Sequence, residues 1–207
     1  MSQLRFHDQS YAAFLFDMDG TLLDSTAVIE QIWRTWAARH GIDHIPLLAA
    51  AHGVRLEDTI RQFGPAGINI DAEAELLLQE EMDNVDGIVP IDGIGPLLAS
   101  LDPASWAIVT SASRELAHVR LRAIGLPLPA VMICAEDVAR GKPDPEGYLK
   151  AADLLGVSID ECLVFEDAPA GVAAAKAAGA HVAIVGDRVP ASEGTHVLRD
   201  YREIMLA

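Results

Sequence analysis

Phe14-Leu15-Phe16-Asp17-Met18-Asp19-Gly20-Thr21-Leu22-Leu23-Asp24 decides how the rest of this chain is read. An apolar run ends abruptly in two acids one residue apart, then a glycine and a threonine. From Ala12 to Phe16 apolar and polar residues do not alternate, which predicts a strand buried on both faces of a parallel sheet. Asp17 then falls at the carboxyl end of that strand, where open α/β sheets bind ligands. Two close carboxylates repel each other and lose hydration, so such a pair persists where a cation neutralises it. Gly20 permits the tight turn that follows. The plain alternative is a solvated Asp-x-Asp-Gly turn, for which Asp and Gly are ordinary residues. Three further stretches weigh against it.

Downstream of Trp106, strands alternate with helical patterns. Trp106 to Thr110 is a short apolar strand, and Glu115 to Ile124 a helix ended by Gly125. Val131 to Cys134 is a strand. Asp144-Pro145 reads as an N-cap with proline at the first helical position. Tyr148, Ala151, Ala152 and Leu155 follow as a stripe, and Gly156 closes that helix. Cys162 to Phe165 is a strand, Ala168 to Ala178 an alanine-rich helix stopped by Gly179, and His181 to Val185 a fifth strand. Such alternation implies a Rossmann-like parallel sheet flanked by helices, with right-handed crossovers.

Between the first strand and Trp106 the pattern changes. Roughly 25–89 contains no convincing strand. Ser25 caps a predicted helix carrying Ile29, Ile32, Trp33, Trp36 and Ala37 and ending at Gly41. A second helix runs from about Leu56 to Phe63. A third starts after Asp71 and carries Leu76, Leu77 and Leu78. Asp92 caps a helix with Ile94, Leu97, Leu98 and Leu101 that belongs back on the sheet. The expected organisation is therefore an α/β core from 1–24 and 90–207, with a small all-helical cap from 25–89 inserted after the first strand. An insert placed directly after a strand-end acid pair suggests a lid.

The bulk composition narrows the function. The 207 residues hold 15 Lys and Arg against 31 Asp and Glu, a formal charge of −16. That balance argues against nucleic acid or an anionic membrane as partner. Met1 to Ser10 is polar, unlike a secretory leader, and no apolar run approaches the roughly 20 residues of a membrane span. Cys134 and Cys162 lie in apolar stretches and read as reduced core thiols. The expectation is a cytoplasmic protein without disulfides, a monomer or weak dimer.

Three later strand ends also carry reactive groups. Thr110-Ser111-Ala112-Ser113 places hydroxyls and free N–H groups at a helix start, an anion site or a simple cap. Lys142 is wedged in Gly141-Lys142-Pro143-Asp144-Pro145, where the prolines fix the backbone and favour a positioned charge over a solvated one. Glu166-Asp167 ends the strand from Cys162, and the two acids suit a hard metal ion or simply complement a helix N-terminus.

An acid pair, a hydroxyl site, a lysine and a second acid pair, each at its own strand end, together resemble the haloacid dehalogenase (HAD) superfamily of phosphohydrolases. Asp17-Met18-Asp19-Gly20-Thr21 looks like its first motif, Thr110 its second, Lys142 its third and Glu166-Asp167 its fourth. The insert position is similar to that of the helical-cap class. His52-Gly53-x-Arg55, Gly141-Lys142-Pro143-x-Pro145-x-x-Tyr148-Leu149 and Phe165 to Gly171 look like the sugar-phosphatase and glycerol-phosphatase branch.

The resemblance implies a phosphatase acting on a small phosphorylated metabolite, a sugar or polyol phosphate. It implies attack by Asp17 on phosphorus to give an aspartyl-phosphate, with Asp19 as general acid and then base. It implies Mg²⁺ held by Asp17, the main-chain carbonyl of Asp19 and Asp167, with Glu166 acting through a water on the metal. Thr110, the Ser111 N–H and Lys142 would hold phosphoryl oxygens. Thr21 would hydrogen-bond near Asp19, and His52, Gly53 and Arg55 would contact the substrate. The nearest rival is a sugar phosphomutase on the same scaffold; Thr21, where related mutases often carry valine, leans toward hydrolysis. A dehalogenase does not keep the second acid, here Asp19. A non-catalytic relative would have lost one of Asp17, Asp19, Lys142 or Asp167, and all are present.

Overall fold

The computed structural model describes residues 4–6, 9–192 and 195–204. A hairpin of β1 (Leu4–Phe6) and β2 (Gln9–Tyr11) leads into β3 (Ala13–Phe16). After the acid pair comes β4 (Leu23–Asp24), then four helices in succession: α1 (Thr26–His40), α2 (His44–Ala51), α3 (Leu56–Phe63) and α4 (Ile70–Asp83). β5 (Val89–Pro90) returns antiparallel to β4 and ties the neck of the helical insert. The remaining order is α5 (Ile94–Ser100), β6 (Trp106–Val109), α6 (Arg114–Ala123), β7 (Val131–Ile133), α7 (Glu146–Leu155), β8 (Cys162–Glu166), α8 (Pro169–Ala178), β9 (His181–Val185) and β10 (Thr195–Leu198).

Among the described residues six strands form one parallel sheet in the order β10-β9-β8-β3-β6-β7. The chain steps outward from β3 to β6 and β7, then crosses back to β8 on the other flank of β3. That reversal opens a crevice at the carboxyl ends of β3 and β8, the place such sheets use for ligands.

Side chains alternate across each strand and supply two cores. Phe14 and Phe16 of β3, Trp106 and Ile108 of β6, and Leu163 and Phe165 of β8 face one side. Ala13 and Leu15, Ala107 and Val109, and Cys162 and Val164 face the other, under α7 and α8. The insert has a third core of its own, built on Trp33, Trp36, Leu47, Ile60 and Leu77.

Several local expectations change. The polar N-terminal stretch contains part of the β1–β2 hairpin, because Leu4, Phe6 and Tyr11 suffice to carry its buried face. Helix α2 lacks a clear pattern; Pro46 is tolerated there because it sits in the first turn. Two-residue strands β4 and β5 flank the insert, too short to leave a periodic signal. Asn69 rather than Asp71 caps α4, and of Leu76, Leu77 and Leu78 only Leu77 is fully buried. Gly93 rather than Asp92 occupies the cap of α5, at a positive φ of 85°. Pro145 takes the cap position of α7, while the Asp144 carboxylate still accepts from the Glu146 N–H.

Candidate active site

Asp17 follows directly on β3 and stays tied to the sheet, its N–H donating to the Phe165 carbonyl at 3.0 Å. Strand alternation turns Asp17 toward the side of Leu15, where α7 lies, and turns Glu166 of β8 the same way. Lys142 arrives from the loop before α7. Its Nζ donates to Asp17 Oδ1 at 2.6 Å, to Glu166 Oε1 at 2.7 Å and to the Val109 carbonyl at 3.0 Å. From α7 itself, the Tyr148 hydroxyl donates to the same Glu166 Oε1 at 2.6 Å. Glu166 Oε2 accepts from the N–H groups of Asp167 and Ala168. Burial opposes charge on Lys142, but Asp17 and Glu166 outweigh it and hold the amine above its ordinary pKa. Both Glu166 oxygens are thus engaged in fixing Lys142 and the start of α8.

Asp17, Glu166 and Asp167 offer oxygens that all lie within 4.8 Å of one another. Burial, then the neighbouring acids, push Asp17 well above the ordinary carboxylate range against the pull of Lys142. The same causes raise Asp167 to about 7, against Arg188 and Lys142. Asp17 Oδ2 and Asp167 Oδ1 are buried without a hydrogen-bond partner. One lysine facing three crowded carboxylates, with two oxygens left unpaired, is the donor set of a hard divalent cation. Glycines make this crowding feasible. A Cβ on Gly171 would lie 1.7 Å from Glu166 Oε1.

Asp19 points elsewhere. Its Oδ1 accepts from the Ser25 hydroxyl at 2.7 Å and from Arg120 Nη1 at 2.8 Å. Ser25 stands at the cap position of α1, but its side chain makes no cap hydrogen bond, because Asp19 takes it. Thr21 does not reach Asp19: its hydroxyl is buried without a partner. Arg120 comes from α6 and also meets Glu81 of α4, which burial raises to about 7 against the Arg120 charge.

Thr110 continues from β6, with its hydroxyl oxygen accepting from the Ala112 N–H at 3.1 Å. The Ser111 hydroxyl donates to the Gly53 carbonyl at 2.8 Å, so a sheet-end loop and the insert are directly joined. His52 and Gly53 line a cavity of about 320 Å³ together with Asp17, Asp19, Trp33 and Thr110. His52 is held neutral: burial and the nearby Arg188 lower it to about 4, although Glu30 lies 3.8 Å away. Arg55 lies outside that cavity. It stacks over Gly141, next to Lys142, and its Nε donates to Asp58 at 2.8 Å. Cys134 and Cys162 are buried and free, with thiols pushed up to about 12, as inert core residues should be.

Sequence reasoning missed Ser25, Glu81, Arg120 and Arg188. Arg188 follows β9 and approaches Asp167 Oδ2 at 3.6 Å while donating to the Thr26 hydroxyl. Its place beyond a strand end was an available signal. Glu81 and Arg120 lie inside helices, where polar residues usually face water.

The comparisons agree with this geometry. A family model for haloacid dehalogenase-like hydrolases matches residues 11–179, and the chain belongs to that family. It is 46% identical to hexitol phosphatase A of Escherichia coli over 83% of this chain and 82% of that one. It is 38% identical to 2-deoxyglucose-6-phosphate phosphatase 2 of Saccharomyces cerevisiae, over 80% and 76%. The crystal structure of β-phosphoglucomutase from Clostridium difficile superposes with a TM-score of 0.81 over 94% of this chain and 93% of that one. At 21% identity that likeness shows the fold.

Proposed function

We propose that this protein hydrolyses phosphate monoesters of sugars or polyols, with Asp17 as nucleophile. It is a phosphoric monoester hydrolase, in keeping with its phosphatase relatives. The observation that carries the reading is the state of Asp17. One of its oxygens is pinned by Lys142, and the other is buried and unpaired at the edge of the cavity. Pinning orients the carboxylate, and the unpaired oxygen is the one free to bind a metal ion or meet phosphorus.

A bond forms between an Asp17 oxygen and phosphorus as the ester P–O bond breaks, and Asp19 gives its proton to the departing alcohol. Water then attacks the aspartyl-phosphate, Asp19 takes a proton back, and phosphate leaves. The Thr110 hydroxyl and the Ser111 N–H face the phosphoryl oxygens, where negative charge must be tolerated, and Lys142, whose three N–H groups go to Asp17, Glu166 and the Val109 carbonyl, adds its positive charge close by. Asp17, Asp167 and the main-chain carbonyl of Asp19, with Glu166 behind them, would hold the cation. We take that cation to be Mg²⁺, since every donor is oxygen. When bound, it neutralises the repulsion between the acids and an incoming phosphate. His52 and Gly53, with Trp33, form the leaving-group side of the cavity. There the acids Glu57, Asp71 and Glu75 would accept hydrogen bonds from hydroxyl groups and repel a second anionic group.

The test is release of inorganic phosphate from a panel of hexitol, hexose and glycerol phosphates with Mg²⁺. Hydrolysis of neutral polyol monophosphates in preference to bisphosphates is expected. Isomerised sugar phosphate without free phosphate would instead make the protein a mutase.

A further inference from the structure

We propose that Arg120 is a positioning residue for Asp19, and that Glu81 makes this positioning depend on how the helical insert sits on the core. The inference rests on the phosphatase reading. Arg120 is 1% exposed, an unusual place for a guanidinium, and it stands on α6 of the core. Its Nη1 donates to Asp19 Oδ1 at 2.8 Å. Its Nη2 faces Glu81 Oε2 at 3.4 Å, and Glu81 is itself buried on α4 of the insert. One cation is therefore divided between a carboxylate of the reaction centre and a carboxylate of the insert.

The division leaves capacity unused. Arg120 Nε and Nη2 are buried without a hydrogen bond of good geometry, while Asp19 is held by a single guanidinium nitrogen and by Ser25. A guanidinium with two nitrogens free to donate prefers to grip one carboxylate with both arms of its fork. Glu81 competes with that grip. With the insert seated, as the Ser111–Gly53 hydrogen bond has it, Glu81 draws Nη2 away and Asp19 keeps one bond to Arg120. With the insert lifted, Glu81 leaves and Arg120 is free to clamp Asp19 with both arms.

Proton donation matters in proportion to how poor the leaving group is, so two esters separate positioning from mere support of the fold. A hexitol phosphate leaves as a basic alkoxide and needs Asp19; p-nitrophenyl phosphate leaves as a stable phenolate and scarcely does. The value of kcat/KM reports the step in which the ester bond breaks. Arg120→Met is expected to lower kcat/KM for the hexitol phosphate by about 100-fold, and that for p-nitrophenyl phosphate by less than about 5-fold. Glu81→Gln, which keeps Arg120 and the helix surface, is expected to lower the same ratio by about 5-fold. Arg120→Lys retains charge without the fork and is expected to fall between wild type and Arg120→Met. Should Arg120→Met not fold, the other two variants decide. Equal losses on both esters, or no loss on either, overturn this inference and leave the phosphatase reading standing. A wild type that hydrolyses neither ester overturns the phosphatase reading and this role with it.

Discussion

Gly20 stands so close to Asp167 that a Cβ at position 20 would lie 2.0 Å from the Asp167 carboxylate. Its φ is +86°, a conformation an L side chain adopts only with strain. The glycine of the first acid motif therefore serves the acid of another strand: it lets Asp167 come down onto the turn after β3. Gly20→Ala should cost about 2 kcal/mol of stability and displace Asp167. Urea unfolding would measure the first effect. Titration with Mg²⁺, read by the gain in thermal midpoint, would measure the second. An alanine variant that retains both stability and metal response would mean Asp167 needs no such approach.

Asp17→Asn should abolish turnover and leave the protein folded. The amide keeps the shape of the side chain, and Lys142 retains Glu166 and the Val109 carbonyl as partners. The attacking oxygen's nucleophilicity is lost, together with one negative charge toward Lys142 and the cation, so kcat should fall by more than about 1,000-fold. Circular dichroism should match wild type. Residual Mg²⁺-dependent hydrolysis above a trace would move the nucleophile elsewhere.

Tyr148→Phe removes one hydrogen bond from a wholly buried carboxylate. Glu166 still holds Lys142 and two main-chain N–H groups, so the cost to stability should be about 1–2 kcal/mol. Lys142 then loses part of its anchoring, and kcat should drop by about 3- to 10-fold with the metal requirement unchanged. Guanidinium unfolding and steady-state kinetics on the same preparation would show both.

The sequence made the strand ends legible because buried parallel strands are continuous apolar runs, and a charged residue at their limit stands out. Asp17, Asp19, Glu166 and Asp167 carry that mark, whereas Lys142 lies in the loop before α7 and stood out by its place between Gly141 and Pro143. Strand β10, Thr195–Leu198, left none: it is an edge strand of mixed polarity that only pairing with β9 defines. Arg120 and Glu81 were illegible for a different reason. Each falls in step with the buried stripe of its helix, Arg120 with Leu116 and Ala117 and Glu81 with Ala74 and Leu77, but a charge there reads as the end of the stripe, and only the packing of α4 on α6 buries both. His52 and Gly53 were legible as a motif, whereas the seat of Arg55 over Gly141 depends on two loops distant in the chain meeting.

A chelator should remove activity and Mg²⁺ should restore it. Without a cation the burial of Asp17, Glu166 and Asp167 is balanced by Lys142 and, more weakly, Arg188. Ca²⁺ should restore activity poorly. It is larger, tolerates both oxygens of one carboxylate, and would engage the Asp17 oxygen that must attack. Phosphate release after exhaustive chelation, then with each metal in turn, gives the order. Full activity in excess chelator would remove the cation from the reaction.

His52 should make the metal-free protein sensitive to mild acid. Burial, first, and the Arg188 charge, second, hold its folded-state pKa near 4, whereas an unfolded histidine titrates near 6.5. Between those values the unfolded chain binds a proton that the folded protein refuses. Stability must therefore fall as pH drops from 6.5 toward 4, and must be insensitive to this group above 6.5. The full difference is at most about 3.5 kcal/mol, at about 1.4 kcal/mol for each pH unit of separation. His52→Asn cannot titrate and should lose this part of the pH dependence while other groups keep theirs. Urea unfolding of both proteins at intervals from pH 4.5 to 7.5 isolates the effect as the difference between two curves. That difference should rise with pH and level off near 6.5 in favour of wild type. A flat difference would mean that His52 takes up its proton in the folded protein, paired with Glu30, and that the cavity wall carries a charge the neutral reading denies.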